Sequence, residues 1–521
     1  MRHVRVAALI LAICWPAIGQ GQNDPDLAAR IERIIGRPEF KHALWGIEIY
    51  DADAGRVVYG QNEEKLFTPG STTKLLSAGT ALQMLGANHR FRTKVYRTGP
   101  IGRDGTLHGD LILVAGGDPN LSQRLQPDGT LAFENRDHSY GGAVDTKAVP
   151  GDPLVVIRKI AEQVAMHGIK HLSGRVLVDA TLFPEGTREL GSGVMVAAIS
   201  VNDNVLDLTI APGAIAGAPA TLTVSPETGH VRFVNKVSTS AADARESIDI
   251  DSAVTNGDGS LTVTVRGTFP VGKAGILYAY PVPVPSRFAE AVLTEALRTR
   301  GITVRPRKPN ATPDFVALAK FYTEPNVVAE HVSAPATEMI KVILKVSQNM
   351  HASAMPMLMG AMFGKGTGEN GFDVERKWLQ KEGLDLAGAQ QADGAGGDAH
   401  FSPAFMVSYL RMMSKRPDFE AFHAALPILG KDGTLYNIQT QSPAAGHVHA
   451  KTGTYAIGDP LNQGVLVTGK GLAGYLTTAN GKRLILAVYA NNVAVSRAPD
   501  ETTRVVGQAL GEVAAAAYEY R

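Results

Sequence analysis

The sequence predicts a multidomain chain of mixed α and β structure, an α+β or α/β protein in which a unit of strands and helices is interrupted by a large, mainly β insertion. Three observations predict it. A chain of 521 residues exceeds what one hydrophobic core usually holds, and the length prior favours about three domains. Helical periodicity and strand-like runs mix near the start of the chain and again toward its end. Between residues 96 and 320 the character changes to short strand-like runs punctuated by Gly, Pro and Asp.

Taken in order, the chain opens on "MRHVRVAALILAICWPAIGQ", with Arg2 and Arg5 ahead of an apolar run from Val6 to Ile18. That pattern predicts a secretory signal over residues 1–22, too short for a membrane span. The only cysteine, Cys14, lies inside it, and Ile13 occupies the place where a lipidation site needs a small residue. The mature chain is therefore expected to lack disulfides and thiolate chemistry and to be exported, with no transmembrane segment. "LAARIERIIGR" predicts a helix, and "HALWGIEIYDADAGRVVYG" predicts two strands around a turn at Asp53, Ala54 and Gly55. Thr68, Pro69 and Gly70 then break the chain, and from Ser71 the spacing of Leu75, Leu76, Ala78, Leu82 and Leu85 predicts an amphipathic helix.

The insertion carries strand-like runs such as "TLHGDLILVAGG", "GRVLVDATLF", "VLDLTIAPG", "ATLTVSP" and "LTVTVRGTF". It also carries two helical stretches, "LVVIRKIAEQVAMHGI" and "RFAEAVLTEALRTRGI", each stopping near a glycine. Helical periodicity returns from "ATEMIKVILKVSQNMHASAM" to "FMVSYLRMMSKR". Its methionines, Met350 to Met362, fit core packing better than a metal box. "GVLVTGKG", "LAGYLTTANG" and "RLILAVYANN" predict strands, and Thr503 to Tyr518 a last helix. That helix holds Glu512 and little basic charge, so it suits packing on a sheet rather than on a membrane. The expected division is 1–22 signal, 23–95 with 321–521 as one domain, and 96–320 as the insertion.

With 51 basic and 50 acidic residues and no long run of either sign, nothing marks a nucleic-acid partner. The informative residues are three short motifs. Ser71 is the only serine in the chain followed at the third position by lysine, Lys74. A cation in the first helical turn opposes the helix dipole, and a capping box would carry Glu or Gln there. Residues i and i+3 share a helix face, so a neutral Lys74 could take the proton of the Ser71 hydroxyl. Lys451, Thr452 and Gly453 form the only K-T-G, followed by Thr454. Lys451 would serve as the cation that pushes Lys74 down and, with both threonine hydroxyls, as a carboxylate site, while Gly453 permits close backbone approach. Ser-x-Asn occurs at Ser200 and Asn202 and again at Ser347 and Asn349. The second pair falls in the segment assigned to the domain of Ser71 and is preferred.

S-x-x-K, S-x-N and K-T-G in this order form the signature of penicillin-binding proteins and serine β-lactamases. The chain resembles more specifically the class C low-molecular-mass penicillin-binding proteins, D-alanyl-D-alanine carboxypeptidases and endopeptidases. The resemblance extends to "GDLILVAGGDPNL", "GRVLVDATLF", "SAPATEMIKVILKVSQNMHA" and "LPILGKDGTL". It implies a penicillin-binding, β-lactamase-like transpeptidase domain, an antiparallel sheet with helices on both faces, and accounts for the large insertion. It implies Ser71 as nucleophile, Lys74 as base, Ser347 as proton carrier to the leaving amine and Asn349 as a positioning group. The backbone N–H groups of Ser71 and Thr454 would hold the oxyanion, and Lys451, Thr452 and Thr454 the substrate carboxylate. The implied partners are peptidoglycan stem peptides, with β-lactams as inhibitors, no cofactor and no metal, in the periplasm.

Asp179, ending an apolar strand in "GRVLVDATLF", is explained equally by a turn and by the acidic residue with which the family's insertion reads the free amine of the stem peptide. Two departures stand out. Ala395 replaces the serine of the family's Asp-Gly-Ser-Gly, and the long stretch from Gln123 to Ala148 is expected to be a surface loop away from the motifs. His447 and His449 lack a ligand cluster and read as strand-face residues. "GKGTGEN" lacks the spacing of a phosphate loop, "AGGDPN" reads as a turn, and no G-x-S-x-G is present. A β-lactamase, disfavoured by the insertion, and a catalytically weak cell-wall-binding protein, disfavoured by the intact motifs, are the competing readings.

Overall fold

Along the strand Arg483–Asn491, alternate residues face opposite ways: Leu484, Leu486, Val488 and Ala490 enter one core, and Ile485, Ala487 and Tyr489 another. A strand buried on both faces belongs to the middle of a sheet covered on both sides. The computed structural model describes residues 23–122, 124–305, 312–365, 370–498 and 500–521. The expected signal segment, with Cys14, and residues 366–369 of the Gly-rich run lie outside the described residues.

The sheet containing Arg483–Asn491 is antiparallel, in the order Val448–Asp459, Gly464–Thr477, Arg483–Asn491, Leu44–Asp51, Arg56–Gln61, with Val493–Ser496 paired onto Gly464–Thr477. The two ends of the chain meet in it, Trp45 opposite Ala490. Pro25–Ile35 and Gln508–Tyr518 pack together over one face, through Leu27, Ile31, Val513 and Ala514. On the other face lie the helices Lys74–Leu85 and Pro403–Met413.

Outside this sheet the strands form smaller sheets. One runs Val327–Val332, Arg92–Arg97, Leu111–Val114, Val176–Asp179, so the segments that lead into and out of the β-rich region are hydrogen-bonded neighbours. Two others are built from Val231–Ser240 with Leu261–Pro270, and from Val205–Ala211 with Thr221–Ser225 and Ile276–Pro281. The helices Val155–Met166 and Pro285–Thr299 match the two periodic stretches of that region.

Two local expectations are corrected. The runs "GVLVTGKG" and "LAGYLTTANG" form one 14-residue strand, Gly464–Thr477, because the intervening glycines continue the ladder instead of ending it. The periodic stretch from Ala336 is two helices, Ala336–Val346 and Asn349–Phe363, broken where Ser347 takes a left-handed φ of 68°. A non-glycine residue held there is strained, and such strain collects at functional sites.

Candidate active site

The site begins with a close backbone approach. Gly70 has φ of 52°, and a Cβ built on it would stand 2.5 Å from Thr454 N; one built on Gly453 would stand 1.9 Å from Pro69 O. Only glycine at both positions lets the K-T-G strand lie directly against the start of the Ser71 turn. Gly70–Thr73 forms a 3-10 turn that leads into the helix Lys74–Leu85. Thr72 and Thr73 hydroxyls donate back to Pro69 O at 3.0 Å and Gly70 O at 2.9 Å, which fixes the turn.

Lys74 has no exposed surface. Its Nζ lies 2.7 Å from Ser71 Oγ and 3.1 Å from Ala395 O, and also contacts Asn349 Oδ1. Burial pushes the amine down to about 7, against the pull of Glu189, Asp393 and Asp137. A neutral amine has two N–H donors, suited to Asn349 Oδ1 and Ala395 O, and one lone pair left for the Ser71 hydroxyl. The serine missing from the family's Asp-Gly-Ser-Gly is not required for this bond, since Lys74 uses the Ala395 carbonyl. Asp393 holds that loop by accepting from Ala395 N at 2.6 Å.

Asn349 opens the helix Asn349–Phe363. Its Nδ2 donates to Glu189 Oε1 at 2.7 Å and to Tyr140 OH. Glu189 is buried and also accepts from Gly191 N at 2.6 Å and Ser192 Oγ at 2.7 Å. Ser347, at the break between the helices, lines the same cleft as Ser71 and Asn349.

The opposite wall is the K-T-G strand. Lys451 is fully buried, with Nζ donating to Thr452 O at 2.7 Å. Burial, then the charges of Lys74 and Lys470, drive it well below the usual lysine range. Among the described residues no carboxylate forms an ion pair with Lys451 Nζ, so a charge there is best balanced by an anionic ligand. Thr452 Oγ1 donates to Thr434 Oγ1 at 2.7 Å, and Thr454 Oγ1 accepts from Lys470 Nζ at 2.7 Å. Burial lowers Lys470 to about 8. The cleft, about 420 Å³, is lined by Ser71, Ser347, Asn349, Thr452, Thr454 and Lys470.

Eight of the nine residues singled out in the sequence thus meet at one cleft or in its wall: Ser71, Lys74, Ser347, Asn349, Lys451, Thr452, Gly453 and Thr454. Asp179 does not. Its carboxylate closes a turn, accepting from Thr181 N at 3.0 Å and Thr181 Oγ1 at 2.6 Å, and is capped by Tyr322 OH at 2.7 Å. These bonds describe the turn the sequence allowed, and the reading of the stem-peptide amine by this buried carboxylate stands as a proposal. Ser200 and Asn202 lie buried in the β-rich region, where Asn202 Nδ2 donates to Val205 O at 2.9 Å.

Of the stretch expected to be a surface loop away from the motifs, residues 124–148 are described, and they reach the site. Tyr140 reaches Asn349, and His138 is buried between Asp207 (Nδ1, 2.7 Å) and Asp203 (Nε2, 2.9 Å). Burial opposes charging that imidazole, but the two carboxylates overcome it and push it up to about 10. Asp203 also accepts from His351, two residues past Asn349, so the loop is clamped to the helix that carries the site. Tyr140, Glu189, Thr434 and Lys470 were missed in the sequence. Only Lys470 left a signal, a lone cation within an otherwise apolar strand. His449 stacks on His423, ring centroids 4.2 Å apart, and among the described residues no helix is long and apolar enough to cross a membrane.

A serine with a buried lysine one turn away, faced by an S-x-N helix and a K-T-G strand on a five-stranded antiparallel path, defines an active-site-serine enzyme of the penicillin-binding class. The chain belongs to the D-Ala-D-Ala carboxypeptidase 3 (S13) family, whose model matches residues 27–510, and it is a serine-type DD-peptidase. It is 27% identical over 463 residues to the D-alanyl-D-alanine carboxypeptidase of Actinomadura sp. (strain R39), covering 84% of this chain and 78% of that protein. It is 22% identical over 468 residues to the D-alanyl-D-alanine carboxypeptidase DacB of Haemophilus influenzae, covering 86% and 85%. The crystal structure of penicillin binding protein 4 (dacB) from Haemophilus influenzae shares the fold, with a TM-score of 0.69 at 20% identity, over 94% of this chain and 98% of that one. The penicillin-binding, β-lactamase-like fold expected from the motifs is the fold found.

Proposed function

We propose that the protein is exported to the periplasm and cleaves the D-Ala-D-Ala end of peptidoglycan stem peptides, and D-Ala–diamino acid cross-links, through an acyl-enzyme on Ser71. The catalytic unit is formed by 23–95 and 321–521, and the insertion 96–320 lends it Tyr140 and Glu189. The observation that carries this reading is the 2.7 Å contact of Ser71 Oγ with a lysine that burial keeps near neutrality.

Neutral Lys74 takes the Ser71 proton as Oγ attacks the penultimate D-Ala carbonyl carbon. The oxyanion is held by the N–H groups of Ser71 and Thr454, whose segments the glycine contacts draw together. Collapse breaks the C–N bond, and the proton passes from Lys74 through Ser347 to the departing amine. Asn349 orients Lys74 and the substrate amide, while Lys451, Thr452 and Thr454 bind the terminal carboxylate. Water then attacks the ester carbonyl carbon, giving a proton to Lys74, and as the bond to Ser71 Oγ breaks Lys74 returns the proton to that oxygen, releasing the shortened peptide and restoring Ser71 and neutral Lys74. A β-lactam presents the same carbonyl in a strained ring and acylates the same oxygen.

Incubation with purified muropeptides and mass analysis of the products tests the reading. Loss of one D-Ala from pentapeptides, or conversion of cross-linked dimers to monomers, is expected. Muropeptides left unchanged by enzyme that still binds penicillin would favour the weak cell-wall-binding alternative.

A further inference from the structure

Asn202, Asp203 and Asn204 form a turn in which successive non-glycine residues hold left-handed φ of 50°, 53° and 56°. L-residues adopt that region singly, and asparagine and aspartate tolerate it best, so such a run persists only where its surroundings over-determine it. Here the side chains do so. Asn202 Nδ2 donates to Val205 O at 2.9 Å, and its backbone N–H donates to Ser122 Oγ at 2.7 Å. Asn204 Nδ2 donates to Met195 O at 3.1 Å and Ile199 O at 3.3 Å. Asp203 accepts from His138 Nε2 through one oxygen and from His351 Nε2 through the other, both at 2.9 Å.

The contacts of Asp203 and Asn204 end beside the Asn349 amide or one of its partners. His138 lies two residues before Tyr140, whose hydroxyl accepts from Asn349 Nδ2. His351 lies two residues beyond Asn349 on the same helix. Met195 follows Val194, whose carbonyl accepts from Glu189 N at 2.8 Å, and Glu189 takes the other Asn349 Nδ2 hydrogen. A carboxylate only accepts, so with Glu189 in place the amide must present Nδ2 to it and Oδ1 to Lys74 Nζ. We propose that Asp203 is a positioning residue for acylation: by holding His138 and His351 together it fixes the amide orientation of Asn349, and through it Lys74 Nζ against Ser71 Oγ. This rests on the acyl-enzyme reading above and adds a residue that lies outside all three motifs.

The test is a double-mutant cycle on penicillin acylation, read as the first-order rate constant and the penicillin concentration that half-saturates it. Asp203→Asn suits the left-handed backbone but leaves one histidine facing an N–H instead of an oxygen. It is expected to lower the rate constant at least about tenfold, the size of a lost charge-assisted hydrogen bond, and to move the half-saturating concentration less than about twofold. In Asn349→Ala the same substitution is expected to change the rate constant less than about twofold, because no amide remains to be oriented. His351→Leu removes the contact from its other side and is expected to show the same dependence on Asn349. His351→Gln, which places an amide donor near the imidazole Nε2 position, is expected to retain most of the rate that His351→Leu loses. An unchanged rate constant in Asp203→Asn, or equal losses with and without Asn349, would overturn the proposal. An Asn349→Ala protein that acylates as fast as the unmodified one would instead count against the use of Asn349 in the acyl-enzyme reading.

Discussion

Glu189 accepts a 2.7 Å hydrogen bond from Asn349 Nδ2, and Asn349 Oδ1 accepts from Lys74 Nζ, so one amide side chain separates a buried carboxylate from the amine beside Ser71. Burial lowers Lys74 to about 7, and the Glu189 charge acts in the opposite direction. Acylation needs the neutral amine, so its rate should rise with pH through about 7. Glu189→Gln removes the charge that favours the ammonium and should move this limb to lower pH. Penicillin acylation rates from pH 5 to about 9 check it, a window set around the lysine range that burial reaches.

Ligand binding should take up protons. Lys451 and Lys470 are both lowered by burial, and a carboxylate arriving between them favours their charged forms. Calorimetry of a D-Ala-D-Ala peptide binding to Ser71→Ala, near pH 8 in buffers of different ionisation enthalpy, should show net uptake, and less of it in Lys470→Met.

Gly453→Ala should abolish acylation. The added methyl would stand 1.9 Å from Pro69 O, a backbone atom that cannot rotate away, so the strand must retreat from Ser71. Overpacking of this kind typically costs about 1–3 kcal/mol, leaving a protein that still folds. Gel labelling beside a thermal melt separates the lost reaction from lost folding.

Asp179→Asn should cost stability, and it separates the turn role from the reading of the stem-peptide amine. The carboxylate closes a turn with Thr181 and is capped by Tyr322, so about 1 kcal/mol is the expected loss. Release of D-Ala from stem peptides with and without a free side-chain amine decides between the two: a selective loss for the amine-bearing peptide marks substrate reading, and an unchanged ratio marks the turn alone.

What was legible in the sequence was local. Ser71 and Lys74 share one helical turn, and Lys451 to Thr454 share one strand, so spacing alone set their geometry. Tyr140 and Glu189 reach Asn349 across 209 and 160 residues of chain, and no spacing encodes that contact. The helix break at Ser347 was hidden for another reason: serine is no helix breaker, and the apolar periodicity runs through it into Met350. Lys470 required the strand register, which became visible only once Gly464–Thr477 proved continuous.

The central claim is that Ser71, activated by Lys74, is the acylated residue. Labelling with a reporter penicillin, followed by digestion and mass mapping, tests it most directly. One adduct is predicted, on the peptide containing Ser71, absent from Ser71→Ala and reduced at least about a hundredfold in rate in Lys74→Arg, where the base cannot lose its proton. An adduct on Ser347 or Ser200, or undiminished labelling of Ser71→Ala, would contradict the account.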